Sequence, residues 1–197
     1  MSTTQIVTWV LLVTLALWML AAYNRLVRSR NEIANGFAQI DIQLKRRYDL
    51  IPNLVEVARK YVQHERDTLE AVIAARNTAK DAGDAARSKP ADAARIGALA
   101  GAESSLAGAL KQLAVVVEAY PELKADATLR ELSEELGHTE NRIAFARQAF
   151  NDSVLDYNNA AQQVPTNVVA GVFGFKPAAM LEATANAAER SAVKVAL

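Results

Sequence analysis

Few side chains in this sequence are equipped for chemistry. His64 and His138 are the only histidines and cysteine is absent. A thiolate nucleophile, a disulfide, a zinc–thiolate site and a lipidated cysteine are therefore excluded, and an imidazole-based metal site nearly so. Neither histidine sits in a recognisable nucleophile motif with a serine or threonine, so acyl or phosphoryl transfer through an activated hydroxyl has no candidate base. The glutamates cluster on polar helical faces instead of pointing inward as paired carboxylates. Gly97, Gly101 and Gly108 fall inside a helical pattern with no strand before them, which is not a phosphate-cradling loop. No catalytic, cofactor-binding or metal-ligating residue is assigned, no cofactor is expected, and the chain reads as non-enzymatic.

The remaining polar residues read as structural. Glu103 interrupts an apolar stripe and needs a partner such as an arginine from a neighbouring helix, with Arg142 one candidate. Arg142, Arg147, Asn151, Asp152 and Asn158 form a dense polar set suited to interhelical hydrogen bonds, or alternatively to a ligand or partner. Lys45, Arg46 and Arg47 near one helix end, and Glu131, Glu134 and Glu135 near the start of another, each oppose a helix dipole. They predict a solvated salt-bridge rim at the pole far from the N-terminus, with partner docking as the alternative.

The elements that carry these residues follow from composition and periodicity. The chain has 197 residues, 51% hydrophobic and 22% charged, with 22 basic and 22 acidic side chains. That length suits one modest domain, and the zero formal charge gives nothing to hold a nucleic-acid backbone. Residues 6–22 (IVTWVLLVTLALWMLAA) carry no charge and span about 25 Å as a helix, slightly short of a ~30 Å hydrocarbon layer. Trp9, Trp18 and Tyr23 supply interfacial rings. A secretory signal would want positive charge before the apolar run, and residues 1–5 have none, so residues 1–22 are expected to be a short external N-terminus and a transmembrane anchor. Arg25, Arg28 and Arg30 follow at once, which predicts a cytoplasmic C-terminal body and a short external N-terminus.

Beyond the anchor the apolar positions step by three and four, and no strand is needed. Leu26, Ile33, Phe37, Ile40 and Leu44 mark a first helix. Asp49 is expected to cap a second, with Pro52 in its first turn, running through Leu54, Ala58, Tyr61, Leu69, Val72 and Ile73 to about Lys80. Residues 81–90 (DAGDAARSKP) read as a linker on turn chemistry. A third helix starts near Ala91 and carries Ile96, Leu99, Leu106, Leu110, Leu113, Val117 and Tyr120, closed by Pro121. A fourth runs from about Ala127 to Gln163 and keeps its phase through Gly137, since a glycine costs only about 1 kcal/mol in a helix interior. The fold class is all-α: one transmembrane helix continuing into an antiparallel up-down four-helix bundle over residues 23–163. An apolar loop over residues 164–177 and a tail over residues 178–197 of no assigned role complete the chain.

Several motifs bear a family resemblance. QIDIQLKRRYDLIPNLVE at residues 39–56, EAYPELKA at 118–125, TENRIAFARQAFNDSVLDYN at 139–158, and PTN with FGF within 165–175 are similar to the LemA family, from the anchor to about Pro177. The resemblance implies a bacterial protein with one N-terminal membrane helix, a short external N-terminus, a cytoplasmic helical bundle, no established biochemical activity and no catalytic site to carry over.

Two surfaces are candidates for contact. Gly97, Gly101, Ser104 and Gly108 step by four, three and four, about opposite the apolar stripe of their helix, so a small-residue groove is expected to face outward for a second copy or a protein partner. In residues 164–177 (VPTNVVAGVFGFKP) no acidic residue occurs. Phe173 and Phe175 are expected either to plug the base of the bundle or, with Lys176, to contact the membrane interface. The lipid bilayer and a protein partner or self-association are the expected partners. The function read from this is a scaffold or adaptor at the bacterial cytoplasmic (inner) membrane. A signalling component transmitting a stimulus through the bundle is the alternative, and a hydrolase would need an unrecognised site.

Overall fold

Helix formation starts at Ser2, whose hydroxyl accepts from the Gln5 amide while the Gln5 side chain accepts from the Ser2 amide. This reciprocal cap launches one helix, α1, that runs unbroken over Thr3–Arg59. The computed structural model describes residues 2–62 and 64–182. After α1 come α2 (Arg66–Ser88), α3 (Ala93–Ala119), the short α4 (Pro121–Ala125), α5 (Ala127–Gln162) and α6 (Thr166–Phe173). The protein is all-helical, with no strand among the described residues.

α1 changes character along its length. Its large apolar side chains from Ile6 to Leu20 are exposed, and this is a helix long and apolar enough to cross a membrane. The hydroxyls of Thr8 and Thr14 within that run donate to the Thr4 and Val10 carbonyls at 2.9 and 2.8 Å, so neither is left unsatisfied in an apolar setting. Burial begins at Ala22 and Leu26 and continues through Ile33, Phe37, Ile40, Leu44, Tyr48, Ile51, Leu54 and Ala58. A single stripe thus passes from the apolar run into the core.

The expected break at Asp49 is absent, and the reason lies at Pro52, which sits inside α1. A proline there removes the amide that would bond the Tyr48 carbonyl. Arg76 of α2 donates its Nε to that carbonyl at 2.8 Å, so the helix continues. The expected linker over residues 81–90 is also largely helical: α2 extends to Ser88 and the turn is confined to residues 89–92. Gly83, which reads as a turn residue, is instead a packing residue, since a Cβ there would lie 3.6 Å from the Tyr48 hydroxyl. The chain turns after Arg59, where Val62 is buried and His64 lies exposed in the turn.

The helix starts and stops are chemically explicit. Asp92 caps α3 through the Ala94 and Arg95 amides, and Asp126 caps α5 through Leu129. Tyr120 and Pro121 close α3 as the sequence predicts. α5 passes Gly137 without interruption.

α1 is the central element: α5 packs along one side of it, α2 along another, and α3 packs on α2. Residue pairs give the directions. Arg46 meets Glu135 and Gly36 meets Phe150, so α5 runs antiparallel to α1. Tyr48 meets Arg76 and Asp41 meets Arg87, so α2 does too. α3 returns beside α2, with Arg95 bonded to the Ala85 carbonyl. At Gly36 a Cβ would come within 3.1 Å of the Phe150 Cα, so the α1–α5 approach depends on a residue without one. The Phe37 and Phe150 rings pack edge-on there at 5.9 Å.

The segment expected to be an apolar loop contains α6. Its β-branched valines are poor helix formers, but packing of Val169 and Ala170 against Ala22, Leu26 and Ala160 holds it. Gly174, at φ +70°, ends the helix in the left-handed conformation that glycine accepts without strain. The chain then runs up α5. The Asn158 side chain pairs with both backbone groups of Ala178, at 2.9 Å each. Asn151 does the same with Leu181, at 3.2 and 2.8 Å, and Tyr157 donates to the Lys176 carbonyl.

Candidate functional site

Two of the charged residues of α1 are buried, and each is paired with a different neighbour. Asp41, 7% exposed, accepts a two-pronged bond from Arg87 of α2 at 2.8 and 2.7 Å. Lys45 approaches the same carboxylate at 3.3 Å. Arg47, 6% exposed, reaches Glu103 of α3 at 2.9 Å and Glu140 of α5 at 3.0 Å. The Tyr48 hydroxyl donates to the other oxygen of Glu103 and lies 3.1 Å from the Ala79 carbonyl of α2. One turn of α1 therefore ties all three other long helices together.

Glu103 does have an arginine partner, but it is Arg47 and not Arg142, which is exposed on α5. The basic and acidic clusters are not an end rim either. Arg47 is buried, Arg46 pairs with Glu135 at 2.6 Å, and α1 continues to Arg59 beyond them. The polar set on α5 divides. Asn151 and Asn158 hold the extended segment after α6 and bond no other helix, Arg147 borders a cleft, and Arg142 and Asp152 face solvent.

The electrostatics suit a lock better than a reaction. Burial pushes the Glu103 carboxyl above the ordinary glutamate value, partly opposed by the Tyr48 hydroxyl and the Arg47 guanidinium. Burial also raises the Tyr48 phenol, and the neighbouring Glu103 charge adds to it. A phenol held protonated is no base, and an arginine between two carboxylates is committed. Glu135 and His138 have the Glu-x-x-His spacing found in di-metal helices, yet Glu135 is engaged by Arg46 and His138 is exposed. Among the described residues no group of His, Asp and Glu could hold a metal ion.

Above the lock a cleft of about 420 Å³ opens between α3 and α5, with Arg47 and Glu103 in its lining, Lys111 and Arg147 beside them, and Leu181 at its margin. Ser104 and Gly108 border this cleft. Gly97 and Gly101 lie on the exposed side of α3, where an added Cβ would meet nothing within 4 Å. Phe173 and Phe175 separate: Phe175 is half-buried and packs against both parts of the core, while Phe173 stays 51% exposed. Both rings stand against Tyr23, at 4.9 Å for Phe173 and 5.6 Å for Phe175. Lys176 is exposed. The residues that sequence reasoning misses are Asp41, Tyr48, Arg76 and Arg87. Asp41 carried a signal, since a charge within the Phe37/Ile40/Leu44 stripe has to find a partner.

Fold and site together define an all-helical protein whose body is built around one long, partly apolar N-terminal helix and stapled by buried ion pairs. Residues 36–197 match the LemA family, and the chain belongs to that family. The match begins within α1 and extends past Pro177 through the C-terminal tail. The chain is 26% identical over 173 residues to the magnetosome protein MamQ of Magnetospirillum gryphiswaldense, covering 80% of this chain and 64% of that protein. It is likewise 26% identical over 175 residues to the magnetosome proteins MamQ 2 and MamQ 1 of Paramagnetospirillum magneticum, covering 81% of this chain and 64% of each. The chain thus spans just under two thirds of the length of these relatives.

Proposed function

We propose that this protein is a non-catalytic scaffold or adaptor of the bacterial cytoplasmic membrane, acting by self-association or partner binding. In this reading residues 6–22 make a single span, the N-terminal side faces out, and the four long helices form an up-down bundle in the cytoplasm. The observation that carries it is the unbroken α1: an exposed apolar run and the core's central helix are one rod. The buried titratable groups of the body are consumed in holding helices together, which suits a structural part better than a reactive one. Relatives named for an assembly, the magnetosome, favour the same kind of role.

The self-association surface in this reading is the exposed side of α3 at Gly97 and Gly101, which leave room for close approach of a second helix, and it runs on to Ser104 and Gly108 at the edge of the α3–α5 cleft. Crosslinking of the full chain in native membranes tests this. A ladder of self-multiples that collapses in Gly101→Leu, with helicity and melting unchanged, supports it. A ladder indifferent to the substitution removes α3 as the contact. The continuous rod also favours a second reading, transmission of a stimulus from the membrane to the body. Recovery of a sensor kinase in place of a self-ladder would select it.

A further inference from the structure

α6 is apolar on both sides. Thr166, Val169 and Ala170 are buried, while Val168 is 63%, Val172 73% and Phe173 51% exposed, with Val164 exposed just before the helix. A helix on a solvated surface turns polar residues outward, so the outer side of α6 is built for something other than water. Its position names the occupant. Phe173 shares a shallow, almost wholly apolar hollow with Ala16, Met19, Leu20 and Tyr23, so it stands beside the last two turns of the apolar run. That run of residues 6–22 spans only about 25 Å against ~30 Å of hydrocarbon. A bilayer that takes up the run must take in Met19 and Leu20, and Phe173 lies against the same surface. The exposed apolar face of α1 therefore continues without a gap onto α6.

The charges agree. No acidic residue occurs in residues 164–177. Lys176 is exposed at the end of this segment, Arg25 and Arg28 are exposed on α1 just after the apolar run, and none of them takes part in an ion pair among the described residues. Cations on a short apolar helix match an acyl boundary topped by anionic headgroups. We propose that α6 is a second membrane contact, lying in the interfacial layer of the leaflet that the body faces, with Val168, Val172 and Phe173 in the acyl region and Arg25, Arg28 and Lys176 at headgroup phosphates. This rests on the reading of residues 6–22 as a membrane span, and goes beyond it by attaching the body at a second point.

The absence of cysteine from the sequence makes a clean test possible on the full chain. Single substitutions Leu12→Cys, Val168→Cys, Val172→Cys and Ser133→Cys are spin-labelled and reconstituted in vesicles of phosphatidylethanolamine with a minority of phosphatidylglycerol. Collision with oxygen, which enters lipid, is compared with collision with a water-soluble nickel chelate. Labels at 168 and 172 are expected to show an oxygen-to-nickel ratio several-fold above that at 133, exposed on α5 near the end remote from α6, and to approach the ratio at 12. The measurement is repeated in nanodiscs holding one chain each, where no second copy can cover α6. Water-like behaviour at 168 and 172 with lipid-like behaviour at 12 overturns the inference alone. Water-like behaviour at 12 overturns the span as well. A lipid signature at 172 that vanishes at one chain per disc assigns the surface to a second copy and overturns the lipid contact.

Discussion

A proline inside a helix leaves one carbonyl without its amide, and here that carbonyl belongs to Tyr48 and is answered by Arg76. Arg76→Leu should then orphan a partly buried acceptor and cost about 1–3 kcal/mol. Pro52→Ala restores the amide, so the same arginine substitution should cost measurably less in that background. The coupling is read from a thermal or urea double-mutant cycle on the solubilised chain. Glu103 makes a prediction about pH. Its carboxyl is held above the ordinary value, chiefly by burial, so the folded state binds the proton more tightly than the unfolded one. Its contribution is most favourable below the ordinary glutamate range, near pH 4, and declines as pH rises towards the folded value. Glu103→Gln abolishes that decline. The melting temperature of the variant relative to the parent should therefore climb from pH 4 to pH 7, and a constant or falling difference would contradict the burial account.

Among the elements, α3 and α5 are legible in the sequence because their apolar residues keep a three-and-four step and Pro121 marks the end of α3. The continuity of α1 is illegible for a physical reason: Pro52 and Asp49 carry a genuine local signal for a new helix, and the arginine that cancels it is 24 residues further on, in α2. The same holds for residues 81–88, where Gly83 is small to make room for Tyr48 and not to turn the chain. The need of Glu103 for an arginine could be read from its place on an apolar stripe, whereas the choice of Arg47 could not, because it depends on how α1 and α3 cross. α6 was hidden because tertiary packing against Ala22 and Leu26, and not helix propensity, holds it. The extended segment beyond α6 depends on two asparagines seven residues apart on α5. Asn158→Ala should accelerate amide exchange at Ala178, and Asn151→Ala at Leu181, about tenfold for each 1.4 kcal/mol of local protection removed. Exchange that stays slow in both variants would mean that the buried Ala178 and Leu181 side chains hold the segment unaided.

For the whole molecule, the basic residues Arg25, Arg28 and Arg30 directly after the apolar run set the expected orientation. A reporter active only outside the cytoplasm, fused after Leu197, should be silent in cells, and a reporter active only inside should report. The reverse pattern would turn the protein around. The absence of a hinge between the apolar run and the core has a mechanical consequence. In a membrane that takes up residues 6–22, the portion of α1 over residues 23–59 projects as a stiff lever about 55 Å long at 1.5 Å per residue. Bilayer thickness adjusts the tilt of a span, and a 10° change in tilt would sweep the tip at Arg59 sideways by about 10 Å. With no joint to absorb the rotation, a local thinning of the lipid is converted into a displacement of the distal end.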